Sequence, residues 1–244
     1  MKPVLLVIAH GSRDPRHAAT VHALVRRVRS LRPDVRVETG FLDFNIPSAQ
    51  GVLESLAAEG VRDVVALPLL LTRAFHAKAD IPAVLRDAPR QLRIRQAEVL
   101  GPSPLLLSAL ERRLYQAGLT PADKSSTGVV LASAGSTDPE AIAVIADIAR
   151  EWRHTGWCAV RPAFASAALP RTEDAVRELR ALGCAKVAVA PYVLAPGFLP
   201  DRIARGAAEA DVLAEVLGAA PEVARVLLRR YETASARVLL PVSA

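Results

Sequence analysis

A chain of 244 residues that is 51% hydrophobic and 23% charged is long enough for one large domain or two small ones and can bury a substantial core, which excludes intrinsic disorder. Its net charge of +6 is carried almost wholly by arginine, since lysine occurs only at Lys2, Lys78, Lys124 and Lys186, and arginine suits planar anions such as carboxylates. The basic residues are dispersed, aromatics make up 4%, and no nucleic-acid motif or apolar run of roughly 18 residues occurs, so the expectation is a cytoplasmic chain that binds neither nucleic acid nor membrane.

The run Val4-Leu5-Leu6-Val7-Ile8 suits a strand buried on both faces, and His10-Gly11-Ser12-Arg13 breaks it into a polar loop. That loop falls at a strand's carboxyl end, where open parallel sheets bind ligands. Apolar residues at Ala18, Val21, Leu24, Val25, Val28 and Leu31 predict a helix over 17–31, ended by Pro33. His17 and His22 lie five apart on it, do not share a face as a metal pair would, and read as solvated surface. A second strand is expected over 35–41, and the loop Leu42-Asp43-Phe44-Asn45-Ile46-Pro47 again puts a functional candidate, Asp43, at a carboxyl end. A helix over 48–59, capped by Ser48 and closed by Gly60, leads to a third strand over 64–71, in which Pro68 requires a bulge or an unpaired position. The third polar loop carries Arg73, His76 and Lys78, and a strand over 93–100 with a helix over 105–117 completes the unit. Four strands each followed by a helix predict a parallel α/β sheet.

The polar stretch 119–127 breaks the pattern and is expected as a linker between domains at 1–118 and 128–244. The second domain repeats the first. Val129-Val130-Leu131-Ala132-Ser133-Ala134-Gly135-Ser136-Thr137-Asp138-Pro139 copies the opening loop, with Ala134 in place of His10. Phe164-Ala165-Ser166-Ala167-Ala168-Leu169-Pro170 copies the Asp43 loop, with Ser166 for Asp43, and in the register that aligns Pro191 with Pro68, Leu199 meets His76. Cys158 and Cys184 lack metal-type spacing and read as reduced core residues. Three loops at one end of the first sheet thus carry His10, Asp43 and His76, and the copy keeps the glycines and prolines while losing all three. That asymmetry points to one site in a cleft between two similar halves, and imidazole with carboxylate suits divalent iron, cobalt, nickel or zinc.

The opening His10-Gly11-Ser12-Arg13, the loop from Phe41 to Pro47, and Pro68-Leu69 leading to His76 and Asp80-Ile81-Pro82 resemble the sirohydrochlorin chelatases, small class II metal chelatases, in their long, internally duplicated form. The resemblance implies two chelatase-like open parallel-sheet α/β domains with an active-site cleft between them. It also implies insertion of a divalent metal, most simply Fe2+ and alternatively Co2+ or Ni2+, into sirohydrochlorin with neither ATP nor an organic cofactor. His10 and His76 match the family's catalytic and metal-binding histidines, and Asp43 falls where many members place a glutamate ligand. Ser12, Arg13, Arg73 and Lys78 lie on the site loops and are candidates for contacting the carboxylates of this anionic tetrapyrrole. The fused halves permit a monomer with an intrachain cleft. A phosphoryl-transfer reading of His10-Gly11 wants an arginine before the histidine, where Ala9 stands, and a metal or tetrapyrrole carrier using the same cleft stays open.

Overall fold

A computed structural model describes residues 2–73 and 79–236, and among them are two parallel sheets of identical topology. The first is built from β1 (Val4–Ala9), β2 (Val37–Phe41), β3 (Asp63–Pro68) and β4 (Arg93–Gln96), in the order β2-β1-β3-β4. Its helices are α1 (Pro15–Leu31), α2 (Ala49–Ala58), α3 (Ile81–Arg86) and α4 (Pro104–Gln116). A 3-10 turn at Pro121–Ser126 leads into β5 (Thr127–Ser133), α5 (Pro139–Arg153), β6 (Ala159–Phe164), α6 (Thr172–Ala181), β7 (Lys186–Tyr192), α7 (Phe198–Gly206), β8 (Val212–Leu213) and α8 (Pro221–Ala236), with strand order β6-β5-β7-β8.

Every residue of β1 is buried, as its unbroken apolar run requires of a strand covered on both faces. Alternation then sorts them: Val4, Leu6 and Ile8 pack with Leu53 and Leu56 of α2, while Leu5, Val7 and Ala9 join a core that also contains Val129 and Leu131 of β5. One hydrophobic core therefore runs through both halves. It does so because the last helix of each half crosses over: α8 lies against α1, α4, β3 and β4, and α4 lies against β7. The crossing is fixed by Tyr231 Oη donating to Pro3 O at 2.8 Å and by Arg112 gripping the Glu222 carboxylate with two hydrogen bonds of 3.0 Å. Gly101 supplies the close approach between halves, since a Cβ there would sit 2.3 Å from Leu71 O and 2.4 Å from the Tyr192 hydroxyl.

Pro68 sits at the end of β3 without a bulge. Leu69 N donates to Ile8 O at 2.8 Å, so the nitrogen of Pro68 faces the other neighbour, where β4 has already ended with Ala97 N bonding Ala66 O. The fourth strand accordingly ends at Gln96, short of the 93–100 expected from sequence. Pro191 repeats the device in β7, beyond the bond from Ala214 N to Val189 O. Cys184 is buried as expected, but Cys158 is exposed, with its Sγ 3.7 Å from that of Cys184.

Candidate active-site cleft

At the carboxyl end of β1 the chain turns through Gly11, whose φ of +96° an L side chain rarely adopts. A Cβ there would stand 1.9 Å from Asp43 O, so the glycine lets the loops after β1 and β2 touch backbone to backbone. They are joined by Asp43 N donating to His10 O at 2.9 Å and Ser12 N donating to Asn45 Oδ1 at 2.8 Å. The Ser12 hydroxyl accepts from Asp14 N, and Asp14 caps α1 by accepting from Arg16 N, with Pro15 as the first helical residue. The second half repeats this scaffold almost bond for bond. Gly135 has φ +95° with its Cβ position 1.9 Å from Ser166 O, Ser166 N donates to Ala134 O at 3.0 Å, and Ala167, like Phe44, has φ +60°. The two backbones match, but Ala134 and Ser166 stand where the first half has His10 and Asp43.

Between the two scaffolds lies a cleft of about 450 Å³. The first half contributes His10, His17 and the segment from Leu69 to Thr72, and the second faces them with Ser133 to Ser136, Ile142, Ile145, Leu194 and Leu199. The wall opposite the histidines is thus largely aliphatic. At the rim Arg16 bridges the halves, 2.6 Å from Asp14 and 2.7 Å from Asp201 at the start of α7, and both carboxylates hold its guanidinium more firmly protonated than usual.

Of the residues singled out from sequence, His10 lines the cleft half-buried, with Nδ1 3.2 Å from Gly11 O. Asp43 is its backbone neighbour, but its side chain is exposed, accepts from Phe44 N at 2.8 Å, and is not among the cleft-lining residues. Arg13 is exposed with its guanidinium 5.2 Å from the centre of the Phe44 ring. Arg73, also exposed, lies 3.7 Å from Glu98. His76 and Lys78 lie outside the described residues. Among the described residues no group of three or more His, Cys, Asp or Glu side chains is placed to hold a metal ion.

His17, expected on the solvated face, belongs to the cleft. It is half-buried on the first turn of α1, and its Nδ1 is buried with no hydrogen-bond partner among the described residues. Burial, and then the nearby His10, push its pKa below the ordinary value of 6.5, against a smaller opposing pull from Asp14. The signal was present in the repeat: aligning Asp14-Pro15-Arg16-His17 with Asp138-Pro139-Glu140-Ala141 puts His17 opposite Ala141, another cleft residue. Spacing from His22 tested only for a metal pair on one helix and so missed it.

A model of the CbiX family matches residues 4–117 and 128–234. Similar known proteins include the sirohydrochlorin cobaltochelatase of Priestia megaterium, 31% identical over 210 residues, which are 83% of this chain and 67% of that protein. The sirohydrochlorin ferrochelatase of Bacillus subtilis is 27% identical over 248 residues, covering 97% of this chain and 93% of the relative. Among solved structures, SirB from Bacillus subtilis with Fe3+ is similar at a TM-score of 0.82 and 26% identity, over 97% of this chain and 96% of that one.

Proposed function

Because the chain belongs to the CbiX family, we propose that it is a sirohydrochlorin chelatase, inserting a divalent metal ion into the metal-free tetrapyrrole within the cleft between its halves. The observation that carries this reading is the asymmetry of the cleft: on matched backbones, one wall adds the imidazoles of His10 and His17 to its leucines, while the residues lining the other include no imidazole and are mostly apolar. A flat macrocycle has two faces with different needs. The metal must reach it from a side that offers nitrogen ligands, while the other face wants only apolar cover.

Insertion balances as one divalent ion in and two pyrrole protons out. A neutral imidazole suits either task near pH 7, as a ligand that hands over a partly desolvated ion or as an acceptor for a departing proton. His10 takes the metal-handling role together with His76, and Asp43 assists from the lip through its carboxylate. Ser12, Arg13, Arg73 and Lys78 serve the substrate's carboxylates. No organic cofactor is called for, since nothing in the balance is oxidised or reduced. The histidine wall and its apolar partner come from one chain, so a monomer suffices. Among the described residues no helix is long and apolar enough to cross a membrane, and the proposed placement is the cytoplasm. Iron is the proposed metal; cobalt is the second reading, favoured by the relative named as a cobaltochelatase.

The test is anaerobic incubation of the purified protein with metal-free sirohydrochlorin and Fe2+ or Co2+, following the absorbance change on metalation through several turnovers. His10→Ala should lower turnover by about 100-fold or more while leaving the melting temperature near wild type, because His10 is a half-buried loop residue. Near-normal turnover in that variant, or a single stoichiometric uptake by the wild type, overturns the reading, the latter in favour of a carrier.

A further inference from the structure

We infer that His17 is a substrate-contacting residue of the cleft that stays neutral and donates a hydrogen bond, through Nε2, to an anionic oxygen of the tetrapyrrole; this rests on the chelatase reading above. Three observations bear on it. His17 lines the cleft on the same wall as His10. Its counterpart in the copy is Ala141, so it differs between the halves together with His10 and Asp43, which stand opposite Ala134 and Ser166, as a group serving a one-sided site would. And its Nδ1 is buried with no partner among the described residues.

That orphaned nitrogen selects the role. A metal-bound imidazole normally donates its other ring N–H to an acceptor, which Nδ1 lacks here, so His17 is poorly built as a ligand. A general base would have to become an imidazolium with one of its two N–H groups buried and unpaired, which is costly. A bare Nδ1 is the cheaper arrangement, since orphaned buried N–H groups are rarer in proteins than under-satisfied acceptors. The proton then sits on Nε2. Nε2, unlike Nδ1, is not a buried atom without a partner, and the residue as a whole is half-buried at the cleft. A neutral donor has a particular merit at this place. Arginine or lysine would also bind a carboxylate, but a full positive charge beside His10 would repel the incoming divalent cation. The adjacent cation, Arg16, is already held by Asp14 and Asp201.

The test is binding of metal-free sirohydrochlorin, followed by fluorescence titration, together with kcat for metal insertion at saturating substrate. His17→Ala should weaken binding about 10- to 150-fold, the range for a hydrogen bond to a charged acceptor, with kcat little changed. His17→Gln, which places an amide N–H near the position of Nε2 without a titratable group, should bind within about threefold of wild type. Unchanged binding in His17→Ala overturns the inference, as does failure of His17→Gln to restore binding while its melting temperature matches wild type. A fall in kcat at unchanged affinity also overturns it, in favour of proton transfer. A wild type that neither binds sirohydrochlorin nor turns over brings down the chelatase reading itself, whereas an active wild type with indifferent His17 variants brings down the inference alone.

Discussion

Gly11→Ala probes the scaffold that carries His10, and the copy supplies its control. At φ +96° an alanine pays the left-handed penalty of about 1–2 kcal/mol, and its Cβ would lie 1.9 Å from Asp43 O. To regain a carbon–oxygen contact of about 3.3 Å the loop after β2 must retreat by more than an ångström. The bonds that retreat breaks are Asp43 N to His10 O and Ser12 N to Asn45 Oδ1, each worth about 1 kcal/mol. The total is about 3–4 kcal/mol, which for a protein of this size lowers the melting temperature by about 6–16 °C. Gly135→Ala meets the same φ and the same 1.9 Å approach to Ser166 O; Ala168 stands where Asn45 does, but Ser166 Oγ donates to Ala134 O at 2.9 Å beside the backbone bond from Ser166 N, so two bonds are again at stake and the loss is likewise about 3–4 kcal/mol. Calorimetric melting of both variants, with turnover measured below both transitions, separates stability from chemistry. Both should melt early, and Gly11→Ala should lose more activity because only its loop displaces an imidazole. A Gly11→Ala protein melting within about 2 °C of wild type, or a Gly135→Ala protein more damaged in turnover, would refute the reasoning.

Arg13→Ala removes an exposed cation stacked on Phe44, and a solvent-screened contact of this kind is worth up to about 1 kcal/mol, so the KM for sirohydrochlorin should rise by about fivefold at most with kcat retained. Added salt should raise the wild-type KM in the same direction, and indifference to both changes would leave Arg13 as a solvated lip. Asp123 is held down to about 2 by its bond to Lys186 and then by Thr120, below its ordinary 3.8, so its stabilisation is present above about pH 4 and is lost as pH falls through about 2. The melting-temperature gap between wild type and Asp123→Asn should therefore narrow from about pH 6 to about pH 3, and a widening gap contradicts the assignment.

The strands, the helices and the duplication were legible because each rests on a local rule: continuous apolar runs for strands buried on both faces, 3.6-residue spacing for helices, and a glycine where two backbones meet. The crossing of α4 and α8 was not legible, because an amphipathic stripe declares that it will be buried without naming the sheet that buries it. The end of β4 at Gln96 likewise depends on where the neighbouring strand stops needing a partner. For the site, position at a strand's carboxyl end singled out His10, which lines the cleft, and Asp43, which lies beside His10 in backbone but whose side chain is not among the cleft-lining residues. His17 escaped because it belongs to a helix face, and amphipathic reading assigns a polar residue on a helix to solvent unless the cleft is already known.

The crossing also gives the second half a packing role that does not depend on the side chains at its cleft wall. In the first half Leu5, Val7 and Ala9 face the core that β5 shares, and β3 and β4 are packed by α8, which belongs to the second. Neither sheet is sealed by its own helices alone. Removing the second half would expose the inner face of the first, so the packing requires the second half's backbone whatever side chains stand at Ala134, Ala141 and Ser166. A duplicated fold that must stay whole for packing, yet needs reactive groups on only one wall, turns naturally into a cleft with one chemical face and one passive one. Such a cleft suits a flat, two-faced substrate better than a symmetric pair of sites does, since two metal-handling walls would compete for the same macrocycle.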